Sequence, residues 1–341
     1  MQTRRIIGLQ SVRLYREPSR SLTLNLGDLL MSMALDTDLL NAFDKVAGGL
    51  HSGFRPVHAK GFMYSGTFIP TADAAKLTRA PHATRPSTPV TVRFSVSSGM
   101  PSVADNDLMG SSPQGMAVRF HLAEHVHTDI IAHSHNGFPV RTGEEFLEFL
   151  RAAMASGPGS PTPPPIVAFL AAHPAAKAFV EAPKPLPTSY ARQAFFAITA
   201  FKFTNSSGQS QFGRFRIRPE AGTEFLTAED AAKKTADFLA AELSERLAKG
   251  PARFRVLVQL AEAADDVSNA TAVWPEDRPE TEFGAIAITQ RVDELAPEQR
   301  KIIFDPVPRV DGIDSAGDPL TALRSDLYLQ SGRRRRAAAA E

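Results

Sequence analysis

The sequence of 341 residues contains no cysteine. This absence excludes disulfide bonds, thiolate nucleophiles, iron–sulfur clusters and zinc ribbons, and it excludes a haem held through a cysteine thiolate. It does not distinguish compartments, because a cytoplasmic or a periplasmic protein can lack cysteine. Any catalytic chemistry must therefore rest on other side chains.

Long apolar runs and a strong charge of one sign are also absent. No stretch of about 18 apolar residues occurs, so we expect no transmembrane helix. The formal net charge of +1 gives no reason to expect nucleic acid or a membrane surface as a partner. Arg4 and Arg5 are not followed by an apolar core and a cleavage site, so no signal peptide is evident. We expect a cytoplasmic or periplasmic protein that is a monomer or a homodimer.

Hydrophobic periodicity divides the chain into a helical start and a β-rich remainder. Apolar residues recur at roughly helical spacing in residues 1–50, which predicts an N-terminal helical segment. Helices are also predicted in an insertion at about residues 142–195 and at 227–247, where Thr227 begins a capping-box-like signal. Short apolar runs bounded by Gly, Pro, Asn or Ser predict eight strands, at about residues 60–69, 90–97, 115–121, 128–133, 197–205, 211–218, 253–261 and 282–289.

This order of elements indicates an α+β protein. Eight mainly antiparallel strands without an obvious break predict one barrel-like domain over residues 51–336, flanked by helices and followed by a tail at 337–341.

Three residues near the C-terminus could form a metal-binding group. Arg324 and Tyr328 are four residues apart, so on a helix their side chains share a face. A neighbouring guanidinium favours the phenolate form of a phenol, and an anionic tyrosine is a hard oxygen ligand for ferric iron. Asp318 precedes the pair. The alternative interpretation is an ordinary surface pair.

A second group centres on His58, which lies just before a predicted strand. If the strand containing Ser95 is its neighbour, the serine hydroxyl can bond one ring nitrogen of His58, fix the tautomer and leave the other nitrogen for proton transfer. Arg55 and Arg93 are candidates to bind anionic groups such as haem propionates. Their alternative role is surface ion pairing.

Four histidines form two His-x-His pairs, 125/127 and 133/135. Alternate residues of a strand face the same way, so each pair could supply two nitrogen ligands to a non-haem metal. No Asp or Glu is clearly placed to complete such a site. Exposed histidines near a strand end are the favoured interpretation.

Taken together, these stretches resemble the haem catalase family. The segment RPVHAKG at 55–61 is similar to the family's R-x-x-H-A-K-G segment, and VRFS at 92–95 to its V-R-F-S strand. PQGMAVRF at 113–120 is similar to its P-x-G-F-A-V-K-F strand. Asp318 and the R-x-x-x-Y spacing of residues 324–328 match the family's proximal Asp, Arg and Tyr, and FDP at 304–306 precedes them.

The resemblance implies a fold and a cofactor. The fold is an eight-stranded antiparallel β-barrel with helices, and the cofactor is haem b, held by Tyr328 as iron ligand. His58 would be the distal acid–base residue and Ser95 its hydrogen-bond partner. The remaining haem contacts would come from Arg55, Arg93, Phe146, Asp318, Arg324 and one arginine of the 333–336 cluster, such as Arg335.

Several positions depart from the family pattern. The distal asparagine aligns with His133, which is therefore a candidate catalytic residue beside His58 and Ser95, and Asn136 could take that place only if the loop is remodelled. The proximal histidine of larger catalases aligns with Thr199. The chain also lacks the family's later C-terminal helical domain, which is typical of the small catalase-related peroxidases.

The resemblance thus implies a haem peroxidase that reduces hydrogen peroxide or organic hydroperoxides with small organic reductants and has weak catalase activity. Two alternatives stay open at this stage: a haem enzyme that rearranges hydroperoxides, as an allene oxide synthase does, and a non-catalytic haem-binding protein.

Overall fold

The computed structural model of the protein describes residues 26–293 and 301–338. Residues 1–25 of the predicted helical segment and residues 339–341 of the predicted tail lie outside the described residues. No helix within the described ranges is long and apolar enough to span a bilayer.

Ten strands lie within these ranges. In chain order, β1 to β10 are Gly61–Pro70, Thr88–Ser95, Gly115–Ala123, Val126–His133, Phe195–Phe196, Phe201–Thr204, Ser210–Pro219, Ala252–Leu260, Glu280–Arg291 and Ile313–Ser315. The helices, α1 to α10, are Leu26–Val46, Ala72–Leu77, Pro81–Thr84, Leu108–Ser111, Gly143–Met154, Pro165–Ala172, Pro174–Glu181, Ala228–Ala232, Phe238–Leu247 and Pro319–Ala338.

Eight of the described strands close into a barrel. The pairing runs β1–β2–β3–β4–β5–β7–β8–β9, and β9 returns to β1, with every neighbouring pair antiparallel. Strand β6 pairs with β7 outside this ring, and β10 pairs with β6. The predicted α+β class and eight-stranded antiparallel barrel with flanking helices are confirmed.

The strand predicted at 197–205 is shorter in the structure, where β6 covers only Phe201–Thr204 and pairs with β7 and β10. Strand β5, which joins β4 to β7, lies just before the predicted run and was not predicted. Its pairing depends on which neighbours it meets, and the local pattern does not contain that information. Strand β10 has three residues and was not predicted.

The helix predicted at 227–247 is interrupted at residues 233–237. Its backbone there serves partners elsewhere in the chain: the Lys60 ammonium donates to the Ala236 carbonyl at 2.7 Å, and the Asn106 amide donates to the Lys234 carbonyl at 3.0 Å. These tertiary hydrogen bonds replace the helical ones. The predicted cap at the start of this helix is confirmed, because Thr227 Oγ1 accepts a hydrogen bond from the Asp230 backbone N–H at 3.1 Å.

The barrel interior is filled mainly by aromatic rings. Alternate residues of the strands point inward, and the fully buried rings include Phe68, Phe94, Phe120, Phe195, Phe203, Phe254 and Phe283. The outward residues of β2, β3 and β4 face a second apolar cluster formed by α1, α5 and α10, whose buried members include Leu39, Leu40, Phe43, Leu147, Leu150 and Leu327. The space between these layers holds the candidate site.

The predicted boundary between an N-terminal helical segment and the barrel domain at residue 50 stays a prediction.

One histidine, His82, is buried inside this aromatic core. Its ring lies 4.7 Å from Phe120 and 5.5 Å from Phe283, and its Nδ1 has no hydrogen-bond partner among the described residues. Burial, with a smaller effect of Arg85, lowers the pKa of His82 to about 3. The folded protein therefore holds this ring neutral well below the pH at which an unfolded histidine, with a pKa near ~6.5, becomes protonated.

We expect this histidine to weaken the fold in acid. A depressed folded pKa means that its full contribution is present above about pH 6.5 and is lost as the pH falls towards the folded value, at up to about 1.4 kcal/mol per pH unit. In His82→Leu the free energy of unfolding should fall less between pH 7 and pH 5 than in the wild type. Urea unfolding at both pH values measures this difference. Equal acid sensitivity of the two proteins would contradict it.

Candidate active site

A cavity of about 230 Å³ lies between the outer face of β2–β4 and the cluster formed by α1, α5 and α10. It brings together side chains from distant parts of the sequence. The residues proposed from the sequence that line it are Arg55, His58, Arg93, Ser95, His133, Phe146, Arg324, Tyr328 and Arg335. Asp318 does not line it, and neither do Asn136 and Thr199.

His58 is held on one side of the cavity by its ring and by its backbone. Ser95 Oγ lies 3.1 Å from its Nδ1. The His58 backbone has a φ of 55°, an uncommon value for a residue with a side chain. Its N–H donates to the Ser97 carbonyl at 3.0 Å, and its carbonyl accepts from the Arg93 guanidinium at 2.9 Å. These bonds fix the backbone that aims the imidazole into the cavity.

A glycine on β3 makes room for this ring. A Cβ on Gly115 would lie 2.7 Å from Ser95 Oγ and 3.0 Å from His58 Nδ1 and Cε1, closer than such contacts normally occur. The sequence analysis quoted Gly115 within a motif but did not identify this role, because it depends on the register of β2 against β3.

The electrostatics of the cavity keep His58 neutral. Burial lowers the pKa of His58 to about 3, and the charges of Arg93, Arg55 and Arg324 add to the effect. At neutral pH the imidazole therefore has a free lone pair and can accept a proton.

Three arginines gather at one end of the cavity. The Arg55 guanidinium donates to the Ile302 carbonyl at 3.2 Å, and Arg335 donates to the same oxygen at 3.0 Å. Neither Arg55 nor Arg93 forms an ion pair with a carboxylate of the described residues. Burial lowers the pKa of Arg55 well below its usual value and that of Arg93 to about 10, and repulsion from Arg335 adds to both shifts.

The environment of Arg93 indicates an anionic ligand. Its Nε is buried and has no hydrogen-bond partner among the described residues. Gly61 accommodates its guanidinium, since a Cβ there would lie 2.6 Å from Arg93 Nη2. Buried donors and buried like charges are costly unless a partner satisfies them. An anionic group between these arginines would accept a hydrogen bond from Arg93 Nε and would offset the repulsion among their positive charges.

Helix α10 contributes the phenol predicted as the iron ligand. Arg324 Nε donates to Tyr328 Oη at 3.2 Å, so the predicted i,i+4 pair exists and faces the cavity rather than solvent. Asp318 is buried at the start of this helix, where its Oδ1 accepts from the Leu320 N–H at 2.9 Å. Burial raises the pKa of Asp318, while Leu320, Arg324 and Arg214 lower it.

Arg214 on β7 was missed by the sequence analysis. It is buried, stacks on Trp274 at 4.2 Å and interacts electrostatically with Asp318. Its signal in the sequence is weak, because it is one of several arginines that alternate along β7. Thr199, the position aligned with a histidine in larger catalases, is buried but does not line the cavity.

The wall of the cavity is otherwise apolar. Phe146 on α5 meets Phe43 and Phe138 edge to face, at 5.3 and 5.4 Å between ring centroids. Val57, Met116 and Ile131 are also part of the lining. A flat, largely apolar group with anionic substituents is the kind of ligand that this combination of surfaces matches.

The histidine pairs behave differently from the prediction. His125 is exposed, as expected, but His133 lines the cavity. The interpretation of His133 as an exposed strand-end residue is wrong, because in β4 it falls on the same outward face as Ile131, which also faces the cavity. Within the described ranges, no cluster of three or more His, Cys, Asp or Glu side chains could hold a metal ion.

The sequence of residues 18–341 matches the model of the catalase family. This chain belongs to the catalase family. The resemblance inferred from the sequence motifs is thereby confirmed. Catalases depend on haem, and membership of this family indicates an oxidoreductase that acts on peroxide.

Two relatives with the same name and one solved catalase structure are similar to this chain over most of its length. The chain is 34% identical over 287 residues to a protein of Mycolicibacterium paratuberculosis named catalase-related peroxidase, covering 83% of this chain and 90% of the relative. A Synechococcus elongatus protein of the same name is 30% identical over 287 residues, covering 83% of this chain and 84% of the relative. The structure of catalase A from Saccharomyces cerevisiae superposes with a TM-score of 0.73 and 21% identity, covering 96% of this chain and 68% of that one.

The residues that line the cavity of this chain fit a haem. The phenol of Tyr328 offers an oxygen ligand, the arginines with the unsatisfied Nε of Arg93 suit two propionates, and the apolar wall suits a porphyrin.

Proposed function

We propose that this member of the catalase family is a haem b peroxidase that reduces hydrogen peroxide or organic hydroperoxides with small organic reductants and has weak catalase activity. The observation that carries the proposal is a single cavity containing both the Arg324–Tyr328 pair and the His58–Ser95 pair. A protein that only carries haem would have no use for the His58–Ser95 pair.

Tyr328 would hold the haem iron through its phenol oxygen. Arg324 donates to that oxygen, and Asp318, through its interaction with Arg324, would position the guanidinium. Arg55, Arg93 and Arg335 would bind the propionates, and Phe146 would lie against the porphyrin. Bound there, haem supplies a redox-active iron, and the phenolate donates electron density to it.

His58 would carry the proton during cleavage of the peroxide. With Nδ1 engaged by Ser95, its Nε2 would accept the proton from the terminal oxygen of the peroxide and return it to the other oxygen. That oxygen leaves as water from hydrogen peroxide or as an alcohol from an organic hydroperoxide, and bound haem would supply the two electrons that break the O–O bond. Ser95 holds the ring in the orientation that this transfer requires. The apolar residues around the site would accept the organic part of a hydroperoxide.

The proposed balance between the two activities can be measured directly. With hydrogen peroxide alone we expect slow oxygen release, well below that of a large catalase assayed alongside. Addition of a phenolic donor should increase peroxide consumption several-fold while oxygen release falls, since donor and peroxide compete for the oxidised enzyme. Oxygen release as fast as that of the large catalase, unaffected by the donor, would contradict the proposal.

A further inference from the structure

A short segment beside the cavity, residues 302–305, contacts both the outer face of the barrel and helix α10, and we call it the strap. Its two central residues line the cavity. The Ile302 carbonyl accepts hydrogen bonds from two guanidinium groups, those of Arg55 at 3.2 Å and Arg335 at 3.0 Å. Two of the arginines proposed to bind the propionates therefore share one backbone oxygen, and its position depends on the strap.

A largely buried ion pair holds the strap against the barrel. Arg119 on β3 and Asp129 on β4 are directly opposite each other, and the carboxylate accepts from Nε and Nη2 of the guanidinium at 2.9 and 2.7 Å. The Arg119 side chain is 11% exposed and that of Asp129 is fully buried. Each lies an even number of residues from a position of the site, Gly115 on β3 and His133 on β4, so the pair is on the cavity face of the sheet.

This ion pair contacts three consecutive residues of the strap. Arg119 donates to the Ile303 carbonyl, and its guanidinium lies 5.3 Å from the centroid of the Phe304 ring. Asp129 Oδ2 accepts from the Asp305 backbone N–H at 2.8 Å. Hydrogen bonds to charged groups are among the stronger ones in proteins. The pair therefore fixes backbone that lies outside the sheet, besides joining two strands.

Asp305 connects the strap to the helix of the proposed iron ligand. Its Oδ1 accepts from Ser325 Oγ at 2.8 Å, and Ser325 lies on α10 three residues before Tyr328, about one helical turn away. Its Oδ2 accepts from Arg309 Nε at 2.9 Å, and that arginine is 61% exposed. One carboxylate thus has two partners at similar distances, one on the helix of the site and one towards solvent.

We propose that the strap is a positioning element for haem binding, with Asp129 and Asp305 as its positioning residues. Asp129 fixes the strap on the barrel, the Ile302 carbonyl then fixes the two arginines that share it, and Asp305 fixes the helix of Tyr328. The propionate-binding groups and the phenol are held relative to one another by one continuous set of contacts. The inference deepens the proposed function and rests on it.

The rate at which the hemin-loaded protein loses hemin to an excess of apomyoglobin tests this inference without turnover. Asp129→Asn keeps the size of the side chain but removes its charge, and it should raise the rate about 10- to 100-fold, the effect of losing a charge-assisted hydrogen bond. Ser325→Ala should raise the rate about 10-fold and shift the charge-transfer band, which reports on the bond between the phenolate and the iron. A residue with a purely structural role would change urea unfolding but neither of these two readouts.

Arg309→Ala is the matched control, because it removes the other partner of the same carboxylate. An exposed ion pair contributes little, and this one does not lead to α10. The variant should lose hemin at the wild-type rate and keep the wild-type spectrum. An Arg309→Ala protein that loses hemin as fast as Ser325→Ala would overturn the inference.

The double variant tests whether the two contacts act through the strap. Asp129 and Ser325 bond different groups of Asp305, its backbone N–H and its carboxylate. Once Asp129→Asn has loosened the strap, adding Ser325→Ala should raise the rate of hemin loss little further, whereas independent effects would multiply. Multiplying effects would contradict the inference.

Two further outcomes are distinguishable. A wild-type protein that binds no hemin would mean failure of the proposed function. A wild type that binds hemin, with single variants that lose it no faster, would overturn the inference alone. Should Asp129→Asn not fold, Arg119→Lys takes its place in each comparison, because lysine keeps the charge but cannot make the two parallel bonds to the carboxylate.

Discussion

Tyr328→Phe is expected to abolish the native haem spectrum and to reduce peroxide turnover to that of hemin free in solution. The substitution removes one oxygen atom, the atom to which Arg324 Nε donates at 3.2 Å. The phenyl ring can still pack against the apolar cluster of α1, α5 and α10, so the helix should keep its place. What is lost is the only phenol or carboxylate oxygen among the described residues of the cavity lining, and phenylalanine supplies no other ligand for iron.

Absorption spectroscopy of the purified variant measures the ligand, and far-ultraviolet circular dichroism checks the fold. Tyr190→Phe is the matched control. Its ring stacks on Phe94 in the barrel interior, 4.8 Å between centroids, away from the cavity lining. It should retain the wild-type spectrum. If Tyr328→Phe retains the wild-type Soret and charge-transfer bands, the ligand is another residue.

His58→Ala should retain haem and lower the rate of peroxide cleavage about 10²- to 10⁴-fold, the usual worth of a positioned acid–base residue. The reason is specific to the site: burial holds the pKa of His58 at about 3, so the wild-type ring is an available base across the whole neutral range. Alanine has no group that can accept the proton, and no carboxylate is among the described residues that line the cavity.

Stopped-flow mixing of each variant with hydrogen peroxide, followed at the haem absorption bands, measures this step. Ser95→Ala should have a smaller effect, since it removes only the partner that orients the ring. His127→Ala, at the opposite end of β4 from His133, should react at the wild-type rate. A His58→Ala protein that reacts with peroxide as fast as the wild type would exclude His58 as the proton carrier.

The sequence predicted those parts of the fold that local patterns encode. Alternation of apolar residues located β1–β4 and β7–β9 within a few residues, and Thr227 caps its helix as expected. The two-residue strand β5 and the interruption between α8 and α9 could not be predicted. Both depend on partners far along the chain, such as the Lys60 ammonium that binds the Ala236 carbonyl.

The same distinction applies to the site. The spacing of Arg324 and Tyr328 on one helix was sufficient to predict their contact. Ser95, Gly115 and His133 are opposite one another across β2, β3 and β4, and this register is not encoded by spacing. The His-x-His pattern therefore favoured an exposed His133, whereas the family resemblance placed it at the distal position, and the role of Gly115 was overlooked. Buried Arg214, which acts on Asp318 from β7, required the barrel to be closed before it could be recognised.

The central claim, that this cavity binds a tyrosine-ligated haem opposite His58, is tested most directly by an optical titration of the purified protein with hemin. The account predicts saturation at one hemin per chain, with the spectrum of a ferric haem ligated by an anionic oxygen that changes at once on addition of peroxide. A protein that contains no haem and binds no hemin, or a bound haem whose spectrum does not respond to peroxide, would contradict it.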